Sequence, residues 1–153
     1  MAICVPESDA NFETTGERKF FVHLKRLPDS CLVYYELIVG ERDLRPDFVV
    51  IDFSRGITIF EVKDWGIDTI LKATPTMFEY ASKQNRTTKA QNPELKIKRY
   101  LEVIREQLST QEILCDDKGK LDVEIRYYIV FPNMTKSEFL EASLEKVINV
   151  SSG

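Results

Sequence analysis

Apolar positions recur along this chain with two periods, one helical and one extended. With Thr14 or Thr15 as N-cap, Phe20, Phe21, Leu24 and Leu27 form a stripe at helical spacing that Pro28-Asp29-Ser30 ends, which predicts a helix over about 14 to 27. Strand-like runs follow at 31 to 39, 46 to 53 and 57 to 63, with two short ones at 68 to 73 and 76 to 81 around Thr74-Pro75. Asn92 can cap a second helix, over 92 to 108, with Pro93 at its first position. Ile97, Tyr100, Leu101, Ile104 and Leu108 then trace one face. Beyond the polar linker Asp116–Lys120, a strand at 122 to 131 stops at Pro132. A short helix is expected from Lys136, and Val147 to Val150 reads as the start of another strand. The order is α/β, a central mixed β-sheet flanked by helices.

Charges interrupt the most apolar part of this pattern. Asp47 opens the run 46 to 53, and Glu61 and Lys63 close the run 57 to 63, with the turn Ser54-Arg55-Gly56 between them. Asp47, Val49, Ile51 and Phe53 share one strand face, and Ile57, Ile59, Glu61 and Lys63 share another. An antiparallel hairpin therefore brings Asp47 close to Glu61 and Lys63 at one end of the sheet. Two carboxylates there suit magnesium, which takes one or two protein oxygens and completes its shell with water and phosphate. An ammonium beside them can orient an attacking water and neutralise charge developing on a phosphorus centre. The plainer reading of the same residues is a salt bridge capping a strand end.

Pro46-Asp47, thirteen intervening residues and then Glu61-Val62-Lys63 resemble the PD-(D/E)xK signature of the restriction-endonuclease-like nucleases. Thr15-Gly16-Glu17 upstream, and Lys63-Asp64-Trp65 and Gln91-Asn92-Pro93 downstream, follow in an order similar to the nuclease-related domain, NERD, a branch of that superfamily. The resemblance spans about residues 12 to 131. It implies a restriction-endonuclease-like core and a magnesium-dependent nuclease site (manganese being an alternative ion) acting on DNA, with Asp47 and Glu61 as metal ligands and Lys63 as the catalytic lysine. A strand-like run beginning at the end of the chain suggests a fragment of a larger protein, and the resemblance implies a fused or associated helicase-like or other DNA-processing partner. A non-catalytic descendant of the fold, binding DNA or docking a protein, is the alternative.

Glu17 lies on the apolar stripe of the first helix, where an unpaired carboxylate would be costly, so a cation is expected near it. The resemblance makes it an additional acid of the site. Complementing the helix dipole is the simpler role. Glu13 precedes the cap, and His23, the chain's one histidine, reads as a surface residue.

Between Lys83 and Arg105 seven basic residues face two acidic ones, a local charge of +5 in a chain of net -4. That asymmetry suits a phosphate track, with Lys89, Lys96 and Arg99 as candidate substrate contacts, although a flexible basic loop and a solvated helix face account for it equally well. Lys96 and Tyr100 keep a four-residue spacing that related nucleases fill with glutamine and tyrosine. An ammonium at 96 can bind phosphate but cannot accept a hydrogen bond as an amide can. Tyr100 also reads simply as a core residue with a satisfied hydroxyl.

With 153 residues and 43% apolar content the chain can bury the core of one domain. It carries no apolar run of transmembrane length and no signal-peptide pattern, so the expected location is the cytoplasm and no membrane partner is expected. Cys4, Cys31 and Cys115 show no paired spacing and read as reduced thiols.

Overall fold

The computed structural model of the chain describes residues 1–6, 11–40, 44–82, 84 and 86–148. It begins with strand β1 (Ile3–Val5) and helix α1 (Thr15–Leu24), followed by strands β2 (Cys31–Tyr35), β3 (Phe48–Asp52) and β4 (Gly56–Val62). Next come β5 (Ile70–Ala73), β6 (Met77–Ala81) and β7 (Thr87–Gln91), then α2 (Pro93–Ser109), β8 (Ile125–Val130) and α3 (Lys136–Glu141). Five strands form a mixed sheet in the order β1-β2-β3-β4-β8, while β5, β6 and β7 form a second sheet, antiparallel throughout. In the larger sheet β3 runs antiparallel to both neighbours, and the outer strands β1 and β8 run parallel to theirs. This is the α/β core expected from the sequence.

Alternation along the strands divides the large sheet into two packed faces. Val33, Phe48, Val50 and Val62 pack with Phe21 and Leu24 of α1 on one face. On the other, Ile59 and Ile125 pack with Ile97, Tyr100 and Ile104 of α2. A third cluster joins Trp65 and Phe78 to Leu144 and Ile148. The β3–β4 hairpin turns through Gly56, whose φ of +91° favours glycine, and a Cβ there would stand 2.2 Å from the Glu124 carbonyl oxygen.

Both helices that flank the site are capped as expected. Thr14 Oγ1 accepts the Glu17 N–H at 3.1 Å. The buried Asn92 accepts the Glu94 N–H at 2.9 Å and donates through Nδ2 to the Thr74 and Val147 carbonyls. One side chain thus ties the start of α2 to the β5–β6 turn and to the C-terminal segment.

Several boundaries move from their sequence-based positions. The first helix ends at Leu24, after which the chain tightens through short-range turns from Arg26 to His23 and from Leu27 to Leu24. The run 31 to 39 stops at Tyr35 because Glu36 takes a positive φ of 50°, which breaks the extended chain, and Val39 only bridges Leu44. Ile67–Thr69 forms a 3-10 turn before β5, and the last strand of the large sheet begins at Ile125. Two strands escaped the sequence pattern. β1 is too short to show alternation, and β7, inside the segment read as a flexible basic loop, is held by cross-strand pairing to β6, with Ala90 its one apolar residue against the third cluster. Val147 and Ile148 turn rather than begin a strand, and Val150 lies outside the described residues, as does Lys83. Among the described residues no helix is long and apolar enough to cross a membrane. Cys4, Cys31 and Cys115 are all free thiols.

Candidate active site

The hairpin register decides which charges meet. Phe48 pairs with Phe60, and the next step sets Asp47 opposite Glu61 at the end of the sheet. The Val62 N–H donates to Asp47 Oδ2 at 2.6 Å, which holds the aspartate against the end of β4. Just past β4, the Lys63 N–H donates to the Val130 carbonyl at 2.8 Å, so Lys63 is fixed to β8 although it lies outside the strand. Lys96, in the first turns of α2, reaches the same place from the other side of the packed layer.

Glu61 is fully buried. Its Oε1 accepts from Lys63 Nζ and from Lys96 Nζ, each at 2.8 Å. Its Oε2 is buried without a hydrogen-bond partner. Burial without a partner is costly for a carboxylate oxygen, and functional sites are one place where such a cost persists. The two lysines differ in setting: the Lys63 side chain is 21% exposed and its ammonium lies 5.8 Å from the Trp65 ring centroid, whereas the Lys96 side chain is 43% exposed. Burial opposes the Lys96 charge, but Glu61 outweighs it and holds that ammonium above its ordinary pKa.

Asp47 titrates in the opposite sense from a salt-bridged acid. Burial first, and the neighbouring Glu61 second, push its pKa up to about 7, although the Val62 N–H and both lysines act against the shift. Two carboxylates and two ammonium groups thus share one pocket.

Asp47 and Glu61 fit a divalent metal by donor chemistry. They are hard oxygen ligands on one face of the sheet, and one Glu61 oxygen has no partner, so these two residues would hold magnesium or manganese. Among the described residues no three or more His, Cys, Asp and Glu side chains converge closely enough to hold an ion. Water and substrate phosphate would have to complete the shell.

Glu17 is buried, as its place on the α1 stripe implies, but its partners are neutral. Oε2 accepts from the Tyr35 hydroxyl at 2.8 Å and from the Glu13 N–H at 3.0 Å. The expected cation is thus replaced by two dipolar donors, and α1 packs on the sheet face opposite to the one that carries Glu61 and α2. Tyr100 donates to the Arg45 carbonyl at 3.0 Å, the satisfied core hydroxyl of the simpler reading, while its ring lies 5.6 Å from the Lys96 ammonium. Lys89 pairs with Glu79 across the second sheet at 3.4 Å, and Arg99 lines an open cleft with Gly40, Glu102 and Glu106. Neither joins the Glu61 pocket. Lys98, from the same basic run, is paired with Glu94 at 2.8 Å.

Beside the pocket, residues of two of the quoted motifs meet a third segment that the sequence pattern does not single out, at Asn133. Asp64 accepts from Thr15 Oγ1 at 3.2 Å and from Asn133 Nδ2 at 2.6 Å, and Asn133 in turn accepts from Lys19. A Cβ on Gly16 would come within 2.6 Å of Asp64 Oδ1, so glycine there lets α1 approach the segment just after Lys63. The Thr15-Gly16-Glu17 and Lys63-Asp64-Trp65 motifs, distant in sequence, meet through this contact.

The family model of the nuclease-related domain, NERD, matches residues 13–132, which include every residue of this pocket. No curated protein and no solved structure matches the chain.

Proposed function

The chain belongs to the nuclease-related domain family, and from that premise we propose that it is a divalent-cation-dependent nuclease domain hydrolysing phosphodiester bonds in DNA. One observation carries the reading: a fully buried glutamate with an orphaned oxygen, set opposite a second carboxylate and held by two ammonium groups. Glu61 Oε2 is the oxygen left for a further ligand, whereas Oε1 is taken by the two lysines.

Bound at Asp47 and Glu61, a magnesium ion would supply Lewis-acid polarisation of the phosphoryl group and a more acidic water. The remaining roles fall to the chain itself. Lys63, fixed by its backbone bond to β8, presents its ammonium where it can orient the attacking water and stabilise charge that develops on the phosphate oxygens. Lys96, half-exposed, is placed to receive a non-bridging phosphate oxygen when the DNA backbone enters. Tyr100 supports the Lys96 stem and is itself anchored on Arg45. The surrounding basic residues, Arg99 and Lys89 among them, serve further along the backbone as a phosphate track rather than at the scissile bond. We also assign the domain to a DNA-processing protein with a helicase-like partner, as the family implies, and to the cytoplasm, which the free cysteines support.

The test is cleavage of single-stranded, duplex and branched DNA with magnesium, with manganese and with a chelator. Cutting that survives the chelator would overturn the metal mechanism. The second reading, a non-catalytic module, is favoured by the Lys96–Glu61 pair, which places an ammonium where an ion would otherwise bind. It requires no cleavage at any metal concentration, with DNA retained by a DNA-binding module and not by a protein-docking one.

A further inference from the structure

Glu61 Oε1 holds two ammonium groups at equal distance, one more than a single carboxylate needs for neutrality. The two come from different elements and differ in constraint. Lys63 is two residues from Glu61 on the same strand end, mostly buried, and lies against Trp65. Lys96 comes from α2, is 35 positions away in sequence, and is more than twice as exposed. Of the pair, Lys96 is the one that water or another charge can replace without disturbing the sheet. Its helix does not need to move, because Asn92 anchors the first turn on the Thr74 and Val147 carbonyls.

A dication entering this pocket, to be held by Asp47 and Glu61, meets Lys96 as well as Lys63, the ammonium that the proposed chemistry uses. Like charges a few ångströms apart in a partly buried site, at an effective dielectric of about 20, repel strongly enough to shift a binding constant by about tenfold or more. We propose that Lys96 is an internal cation that competes with the divalent ion for Glu61 and thereby sets a low metal affinity in this chain. The inference rests on the nuclease reading above and goes beyond it, since it assigns to one lysine the control of metal loading.

The deciding measurement is Mn²⁺ binding to the whole chain without DNA, followed by the loss of the free-ion electron paramagnetic resonance signal. Lys96→Gln is expected to bind Mn²⁺ at least about tenfold more tightly than the parent chain, a conservative fraction of the Coulomb repulsion removed. Lys96→Arg retains the charge and stays as weak as the parent. Lys96→Met, which keeps an apolar stem over Tyr100, tightens binding as Lys96→Gln does and serves if the glutamine variant does not fold. Adding Glu61→Gln to either tightened variant abolishes the gain. Equal affinity in the parent, Lys96→Gln and Lys96→Met would overturn the competition while leaving the nuclease reading in place. Absence of Mn²⁺ binding in all of them would also overturn the competition, and the nuclease reading is then decided by the cleavage assay alone.

Discussion

The Val62 amide donates to Asp47 Oδ2 at 2.6 Å, so an acid that stands outside its own strand is clamped to the end of the neighbouring one. That bond favours the charged carboxylate, yet burial and Glu61 outweigh it and bring the Asp47 pKa to about 7. Because the folded pKa is raised above the ordinary value, the folded state binds this proton more tightly than the unfolded chain does. The group therefore costs stability above pH 7, and the cost disappears as the pH falls toward 4. Asp47→Asn, which keeps an acceptor for Val62, is expected to be more stable than the parent at pH 8 without metal, by about 2 to 4 kcal/mol, with the two converging near pH 4. Urea melts across that range decide it, and a parent chain that is the more stable at pH 8 would contradict the assignment.

Removing the ammonium of Lys63 should separate chemistry from folding. Lys63→Ala leaves Glu61 Oε1 paired with Lys96, so the fold survives, while cleavage is expected to fall by about 10²- to 10³-fold, as when one transition-state donor is lost. Undiminished turnover in this variant rules out the role given to the lysine.

Glu17 is held by Tyr35, and that bond can be cut without touching the carboxylate. Tyr35→Phe leaves Glu17 Oε2 with only the Glu13 amide and is expected to lower stability by about 1 to 3 kcal/mol. Cleavage per folded molecule should hold. A selective loss of activity without loss of stability would instead make Glu17 a working part of the site.

At the far end of the hairpin, Gly56→Ala combines a positive φ with a Cβ driven into the Glu124 carbonyl, a backbone atom that cannot turn aside. The expected cost is about 2 to 3 kcal/mol or more, read from thermal or urea unfolding. A neutral substitution would mean that the β3–β4 turn and β8 are not packed as described.

Much of the architecture was legible because it rests on local periodicity. The apolar stripe and the Asn92-Pro93 start of α2, the cap of α1 at Thr14, one of the two threonines the pattern allowed, and the turn at Gly56 are each short-range signals that the structure bears out. β1 and β7 were not legible. Three residues show no period, and a strand of Thr, Lys and Gln owes its form to pairing with β6, which no single segment encodes. The end of β2 escaped for a related reason, since the positive φ at Glu36 accompanies a bond to the Asp47 carbonyl that local sequence does not announce.

Strand alternation and a short turn leave only one register that buries the apolar residues, so the meeting of Asp47, Glu61 and Lys63 at one end of a hairpin follows from the order of residues alone. The burial of Glu17 follows in the same way, from its place on a helical stripe. What each charge faces is set by the stacking of the layers. The packing of α2 on the Glu61 side of the sheet delivers Lys96 to the glutamate, and the packing of α1 on the other side gives Glu17 to Tyr35. Periodicity says which face of an element is buried, whereas the partner across that buried face is chosen by how the layers stack.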